Sequence, residues 1–585
     1  MLRRTPRWLL VLVLACRSVY ATETGQGDRL QILMARAEGG EPEVQFRLAE
    51  MYGKGEGVPK DYGEAVKWCR KAAEQGYPPA QTQMGAVYMD GTGVAKNTSE
   101  GLKWFRLAAE RGHLLAQLTL GAMYLNGDHL PKDPVEAAKW IELAAAQGDV
   151  TSQRNIGAMY YSGEGVPKDL AKSAVWFRKA AEQGEPISQG NLGLMYQKGE
   201  GVPKNDLEAV TWSSKAAEQG NADAQLNLGL MYANGEGVAQ DNGTAAKWYR
   251  KAAEQGLAAA QYNLAVLYDW GKGTPKDHPE AVKWYRKAAE QGLFYAQNDL
   301  GVSCMKGEGV PRDYTEAMIW LRAAAEQGYA PAQCNLGVMY HKGLGVPKDS
   351  KEAARWFQKS AVQGYAPGQS NFGLLYANGE GGLSQDSAVA VQWYRKAVEQ
   401  GDAGGQFNLG VMFQKGDGVP KDIAEAMRLF HLAAEQGHAN AQSMLGSIYA
   451  IGLENIPKNS IRAVKWLSKA AGQGFAYAQY NLGVLYRSGD GVPQDFTEAV
   501  KWFRKAALQG ETNAQNNLGL MYFNGEGLMP DPIESYAWIS LAVNAGSESA
   551  LKNQAMVMSK MGPEAITVGQ NRAQALLKEI ESSQR

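Results

Sequence analysis

The tetrapeptide AEQG, or a close variant of it, ends at Gly76. It returns at Gly112, Gly148, Gly184, Gly220, Gly256, Gly292, Gly328, Gly364, Gly401, Gly437, Gly474, Gly510 and Gly546. The steps are 36 residues, with two of 37. A fixed period of this size restricts the fold strongly, because such a unit buries its apolar face only by stacking on its neighbours. The 585 residues therefore read as one repeated unit over 41–546, not as several unrelated globular domains.

Residues 185–220, EPISQGNLGLMYQKGEGVPKNDLEAVTWSSKAAEQG, show what the unit is. Leu192, Gly193, Met195 and Tyr196 have helical spacing, and so do Leu207, Ala209, Val210, Ala216 and Ala217 further on. Two amphipathic helices follow, separated by the glycine and proline cluster GEGVPK, which stops the first and re-aims the chain. Asp133/Glu136, Asp277/Glu280, Asp313/Glu316, Asp422/Glu425 and Asp495/Glu498 each stand three apart at the start of a second helix. That spacing predicts a capping box, with the Asp accepting from orphan amides and the Glu reaching back. The Gly of AEQG closes the helix in a left-handed conformation.

The pattern LGxMYxxGxGVPKDxxEAxxWxxKAAEQG resembles the Sel1-like repeat, a relative of the tetratricopeptide repeat, and the resemblance covers residues 41–546. It implies an all-α fold, an α/α solenoid of about fourteen helix-turn-helix units wound as a right-handed superhelix. It also implies an adaptor for other macromolecules. Residues 22–40 read as an N-terminal leader and 547–585 as a helical C-terminal cap.

The chain starts MLRRTPRWLLVLVLAC, with three arginines before a short apolar run, the anatomy of a secretory signal peptide over residues 1–21. Val19 and Ala21 suit cleavage before Thr22. The rival is a lipobox, VLAC, that would make Cys16 a lipidated N-terminus on the outer membrane. Either reading places the mature chain in the periplasm or outside the cell. No later segment is apolar for long enough to span a bilayer. Lys plus Arg (60) against Asp plus Glu (61) leaves a net charge of -1, which speaks against a nucleic-acid partner. Cys69, Cys304 and Cys334 are too few for a disulfide framework.

Trp68, Trp104, Trp140, Trp176, Trp212, Trp248, Trp284, Trp320, Trp356, Trp393, Trp466, Trp502 and Trp538 share one second-helix position, which reads as inter-repeat core. With the Gly of LG as zero and about 100° per residue, positions -5, -1, +2 and +3 of the first helix form the packed arc. Positions -3, +1, +4 and +5 form the opposite one, with -2 at its edge. If first helices line the concave side, as they do in the family, this second arc is the floor of a groove.

Position -2 is Asn155, Asn191, Asn227, Asn263, Asn335, Asn371, Asn408, Asn481 and Asn517, with Asp299 in one copy. A carboxamide both donates and accepts, as a peptide backbone does. Helices packed about 8 to 10 Å apart would set one Asn against every third residue of an extended ligand rising about 9 Å per three residues. The other reading is that each Asn braces its neighbour. Position +1 is an outward apolar stripe, either squeezed between curved neighbours or exposed as a binding strip: Leu194, Leu230, Val266, Val302, Val338, Leu374, Val411, Val484 and Leu520. Tyr262, Phe407 and Tyr480 are bulky choices at -3, and Trp270 lies off the shared tryptophan position, where it reads either as a binding anchor or as a local packing residue. The Gln at -4, from Gln45 to Gln515, reads as structural.

Signals for catalysis are weak. A cysteine-rich branch of the family, linked to penicillin binding, needs a Cys pair in each repeat that this chain lacks. Ser303/Lys306 and Ser549/Lys552 match S-x-x-K without companion motifs. The six histidines share no register, and no phosphate-binding loop is present. The sequence thus points to a non-enzymatic scaffold with no cofactor and no metal. The leading partner is an extended protein segment in the groove, and the alternatives are a glycan or peptidoglycan ligand and a penicillin-recognising hydrolase.

Overall fold

Each repeat is a pair of short helices whose ends are set by the chemistry of the turn. In repeat 5, Pro186–Lys198 ends at Gly199 in the left-handed region. The second helix, Asp206–Glu218, starts at Asn205, whose side chain accepts from the amides of Leu207 and Glu208. The computed structural model describes residues 26–583, so the signal region and Cys16 lie outside the described residues. Fourteen such pairs follow a leader helix, Gln26–Glu38, and precede two cap helices, Glu548–Met558 and Pro563–Ser583. Among the described residues the only extended pairing is an isolated bridge between Leu453 and Ile456. The fold is a helical solenoid.

The described chain divides into two compact units, one ending at Lys276 and the other starting at Asp277. Within each unit a first helix packs between the second helix of its own repeat and that of the repeat before. First helices of successive repeats also meet directly, as 186–198 meets 222–234 and 330–342 meets 366–378, more closely than second helices do. The first helices therefore lie on the inner side of the local curve.

Two details of the packing differ from the sequence reading. The capping box is only half made. Asp133 accepts from the amides of Val135 and Glu136, but its own amide donates to the Tyr124 carbonyl at 2.9 Å. The same bond runs from Asp313 to Cys304, from Asp422 to Phe413 and from Asp495 to Tyr486. With that amide satisfied across the turn, the glutamate has no donor to reach back to. In several copies it accepts from the shared tryptophan instead: Trp212 donates to Glu208 at 3.0 Å and Trp320 to Glu316 at 3.2 Å.

The second concerns the tryptophans. Trp68, Trp140, Trp284, Trp466 and Trp538 are buried, but the other eight are only half-buried. Lysines three residues on cover many of them: Lys251 lies 4.0 Å from the Trp248 ring and Lys359 4.1 Å from Trp356. The deepest side chain is the next residue, as in Phe177, Tyr285, Phe357, Tyr394 and Phe503. It explains the glycine of LG: a Cβ on Gly337 would stand 2.6 Å from the Phe357 ring. At Gly337 the missing side chain lets the two helices close over that ring.

The -4 glutamines form a buried relay. Gln189 donates to the Ala181 carbonyl of the preceding second helix at 3.0 Å and accepts from Gln219 at 2.8 Å. The same pair of bonds recurs at Gln153, Gln225 and Gln333. Where both bonds form, the glutamine closes one repeat onto the next; Gln81, with Arg111 in place of the donating glutamine, has its side-chain oxygen buried without a partner.

Candidate binding groove

The outer arc of the first helix is fixed by what the inner arc must bury. With Leu192, Gly193 and Met195 packed inward, positions -2 and +1 fall at the margin. All nine ladder asparagines and all nine +1 residues are half-buried. The stripe is thus partly open to solvent, beside a row of carboxamides.

In the first unit these positions surround a cleft of about 480 Å³. Asn155 and Asn191 line it, and Leu125, Ala158, Phe177, Leu194 and the two methionines Met159 and Met195 supply its apolar walls. Tyr161, Ser162 and Glu164 close the side next to the turn. Leu125, Tyr161 and Ser162 sit at +4 and +5, on the arc that the helical projection exposes, yet had no repeat-wide pattern to mark them.

Position +4 carries a brace. Tyr161 donates to Glu200 at 2.8 Å, Gln197 donates to Glu236 at 2.8 Å, and Arg487 pairs with Glu526 at 2.8 Å. Each glutamate belongs to the GEG turn of the following repeat. A hydrogen-bonding residue at +4 with an acid 39 residues on is the sequence signal for it.

The ladder is not uniform. Asn335 donates to Asn298 at 3.0 Å, Asn371 to Cys334 at 3.5 Å and Asn408 to Ser370 at 3.4 Å. Asn371 also reaches the Pro367 carbonyl at 2.9 Å. Asn517 hydrogen-bonds Tyr480, whose phenol is pushed up by burial. Asn481 has its amide nitrogen buried without a partner. In the first unit, Asn155 accepts from the Arg154 guanidinium at 3.3 Å, and Asn227 reaches Ser213 at 3.5 Å. Asn191 and Asn263 make no side-chain hydrogen bond among the described residues.

The aromatic candidates separate. Trp270 is 64% exposed, with Lys272 lying 4.7 Å from its ring. Phe407 lies between the rings of Phe430 and His438, at 5.8 and 5.0 Å, and Tyr480 lies 6.0 Å from Phe503. Tyr262 is half-buried and engaged with neighbours. The three cysteines are buried as free thiols, and burial pushes Cys69 and Cys334 up to about 12. Among the described residues no three His, Cys, Asp or Glu side chains gather as a metal site would need.

The Sel1 repeat matches the chain fourteen times without a break, from 42–77 to 512–547. The chain is a Sel1-repeat protein. No curated protein matches it. Among solved structures, this Sel1-repeat protein is similar to a protective antigen of uropathogenic Escherichia coli strains displaying an SLR fold. They share 34% identity over 82% of this chain and 95% of that one, with a TM-score of 0.51. A Sel1 repeat protein from Oxalobacter formigenes is also 34% identical, over 62% of this chain and 97% of that one, with a TM-score of 0.45.

Proposed function

We propose that this Sel1-repeat protein is a non-catalytic scaffold that holds an extended protein segment along the inner faces of its first helices. The observation that carries this reading is the cleft, where -2, +1, +4 and +5 positions of successive repeats meet. Carboxamides on an apolar floor suit a polypeptide, because they serve its amides while the floor takes a side chain. We further propose that the chain is exported, for which the first 21 residues and the likeness to a protective antigen are the support. Among the described residues no helix is long and apolar enough to cross a membrane.

A photo-reactive amino acid at Ala158, in the cleft, should crosslink a partner, and the same group at Val175 on an exposed second-helix face should not. An adduct sensitive to protease but not to glycan-degrading enzymes supports the protein reading. The opposite sensitivity would favour a glycan, for which the exposed Trp270 ring is the one supporting feature. Mass spectrometry of the mature N-terminus separates a start at Thr22 from a lipidated Cys16.

A further inference from the structure

We infer that the -3 residue of the repeat before holds most ladder asparagines of the second unit, and that Asn155 and Asn191 of the first unit, which lack such a holder, are open to a ligand. This rests on the groove reading above. In the second unit, Asn335, Asn371, Asn408 and Asn517 each reach back to the -3 side chain of the repeat before, Asn298, Cys334, Ser370 and Tyr480, while Asn481, behind Ser443, has its amide nitrogen buried without a partner. The cap repeats the device, with Asn553 donating to Asn516 at 2.8 Å. These are short polar side chains or a phenol, able to accept one hydrogen bond across the helix pair.

The first unit has no such acceptor. The -3 residues ahead of Asn155, Asn191, Asn227 and Asn263 are Leu118, Arg154, Gly190 and Leu226. Leucine and glycine side chains offer nothing to accept with. Arg154 is a donor only, and it turns to Asn155 and to Glu185, 3.5 Å away. The carboxamides of Asn155 and Asn191 therefore face the cleft with donor capacity unused, one on each side of an apolar floor. The occupant that satisfies both features is an extended polypeptide that sets one large apolar side chain between Ala158 and Leu194 and pairs its flanking amides with the two asparagines. A sugar would use the carboxamides but leave the hydrocarbon floor unmatched, and an acyl chain would do the reverse.

Gly190 allows a test in which stability and binding move apart. It is helical, and a Cβ there would come no nearer than 3.6 Å to Ala224 and 3.7 Å to Asn221, ordinary contact distances. Gly190→Ser would fit and place a hydroxyl in the register that Ser370 occupies before Asn408, next to Asn227, a ladder residue outside the cleft that already reaches Ser213. Replacing a mid-helix glycine also favours the helix.

The probe is a dodecapeptide selected from a random phage-displayed library on the full chain, then synthesised and titrated. Selected peptides should share one large apolar residue. Asn191→Ala should weaken binding about 2- to 10-fold with melting unchanged, the fold-range of one net hydrogen bond. Gly190→Ser should leave binding unchanged while melting holds or rises, because Asn227 does not line the cleft. Asn371→Ala and Asn408→Ala should melt earlier and bind normally. Peptides that lose affinity with Asn371→Ala or Asn408→Ala but not with Asn191→Ala would overturn the division and leave the groove reading standing. So would weakened binding in Gly190→Ser. A library that yields no binding peptide would remove the groove reading and this inference together.

Discussion

Trp356 and Phe357 are adjacent in sequence and differ in duty. The phenylalanine is buried against Gly337, whereas the tryptophan is half-buried under Lys359. Phe357→Ala should cost about 3 to 5 kcal/mol of local stability, because the cavity cannot close around two packed helices. Trp356→Ala should cost less, since part of its ring already meets water. Denaturant titration of the two variants would check this, and the reverse order would return the core to the tryptophan. Repetition made Trp conspicuous, while its neighbour varies among Phe, Tyr, Leu, Ile, Cys and Ser and so carries no visible pattern. Depth of burial follows the angle on the helix, and chemical monotony is a poor guide to it. The -4 glutamine was legible for the opposite reason, since an uninterrupted polar residue beside the packed arc needs a fixed partner. The ladder asparagines are uniform, yet their surroundings are not, and only the spatial neighbour at -3 separates them.

Helix ends were largely readable, because Asp, Asn and Gly act through bonds to nearby backbone. The bond from the cap amide to the carbonyl of the first helix was not, as it depends on the path of the turn. One consequence appears where repeat 8 departs from its fellows. In several other repeats an arginine of one second helix donates to the +3 tyrosine of the next repeat, as Arg70 does to Tyr88 at 2.7 Å. At that place stands Cys304, and Arg286 pairs instead with Glu316, which also accepts from Trp320. The hydrogen bond from Arg286 holds the Glu316 carboxyl below its usual range. A carboxyl whose folded pKa is depressed contributes stability above its unfolded pKa and loses it as pH falls through the folded value. Unfolding of the second unit should therefore become easier on acidification below the ordinary carboxylate range, and Glu316→Gln should flatten that dependence. Urea titrations at neutral and acid pH would show it. Equal acid sensitivity in both proteins would mean that the pair contributes nothing.

On the scale of the whole molecule, repeats touch their neighbours and little else, so damage should spread from where it is made. Tyr249→Ala, which empties a buried position of repeat 6 beside Gly229, should raise hydrogen exchange first across residues 222–270. Protection over 26–110 should persist, and uniform loss over both units would contradict a neighbour-only solenoid. The period announced the solenoid, because stacking is what a 36-residue unit needs in order to fold. The cleft was only partly legible, since its walls come from three repeats and include Phe177 of a second helix. The central claim is that the positions holding the array together and those meeting a partner are different residues of the same helix. Gln189 and Asn191 stand two residues apart, one in the buried relay and the other at the cleft. The direct test is to measure melting temperature and partner affinity together for Gln189→Ala and Asn191→Ala. Gln189→Ala should remove the bonds to the Ala181 carbonyl and from the Gln219 amide, leaving those groups only Gly184 and Lys215, and so melt earlier, at a cost of about 1 to 3 kcal/mol for the two bonds. Asn191→Ala should melt like the parent and bind more weakly. If Asn191→Ala melts early and binds normally, the ladder is scaffold and the groove is not the site.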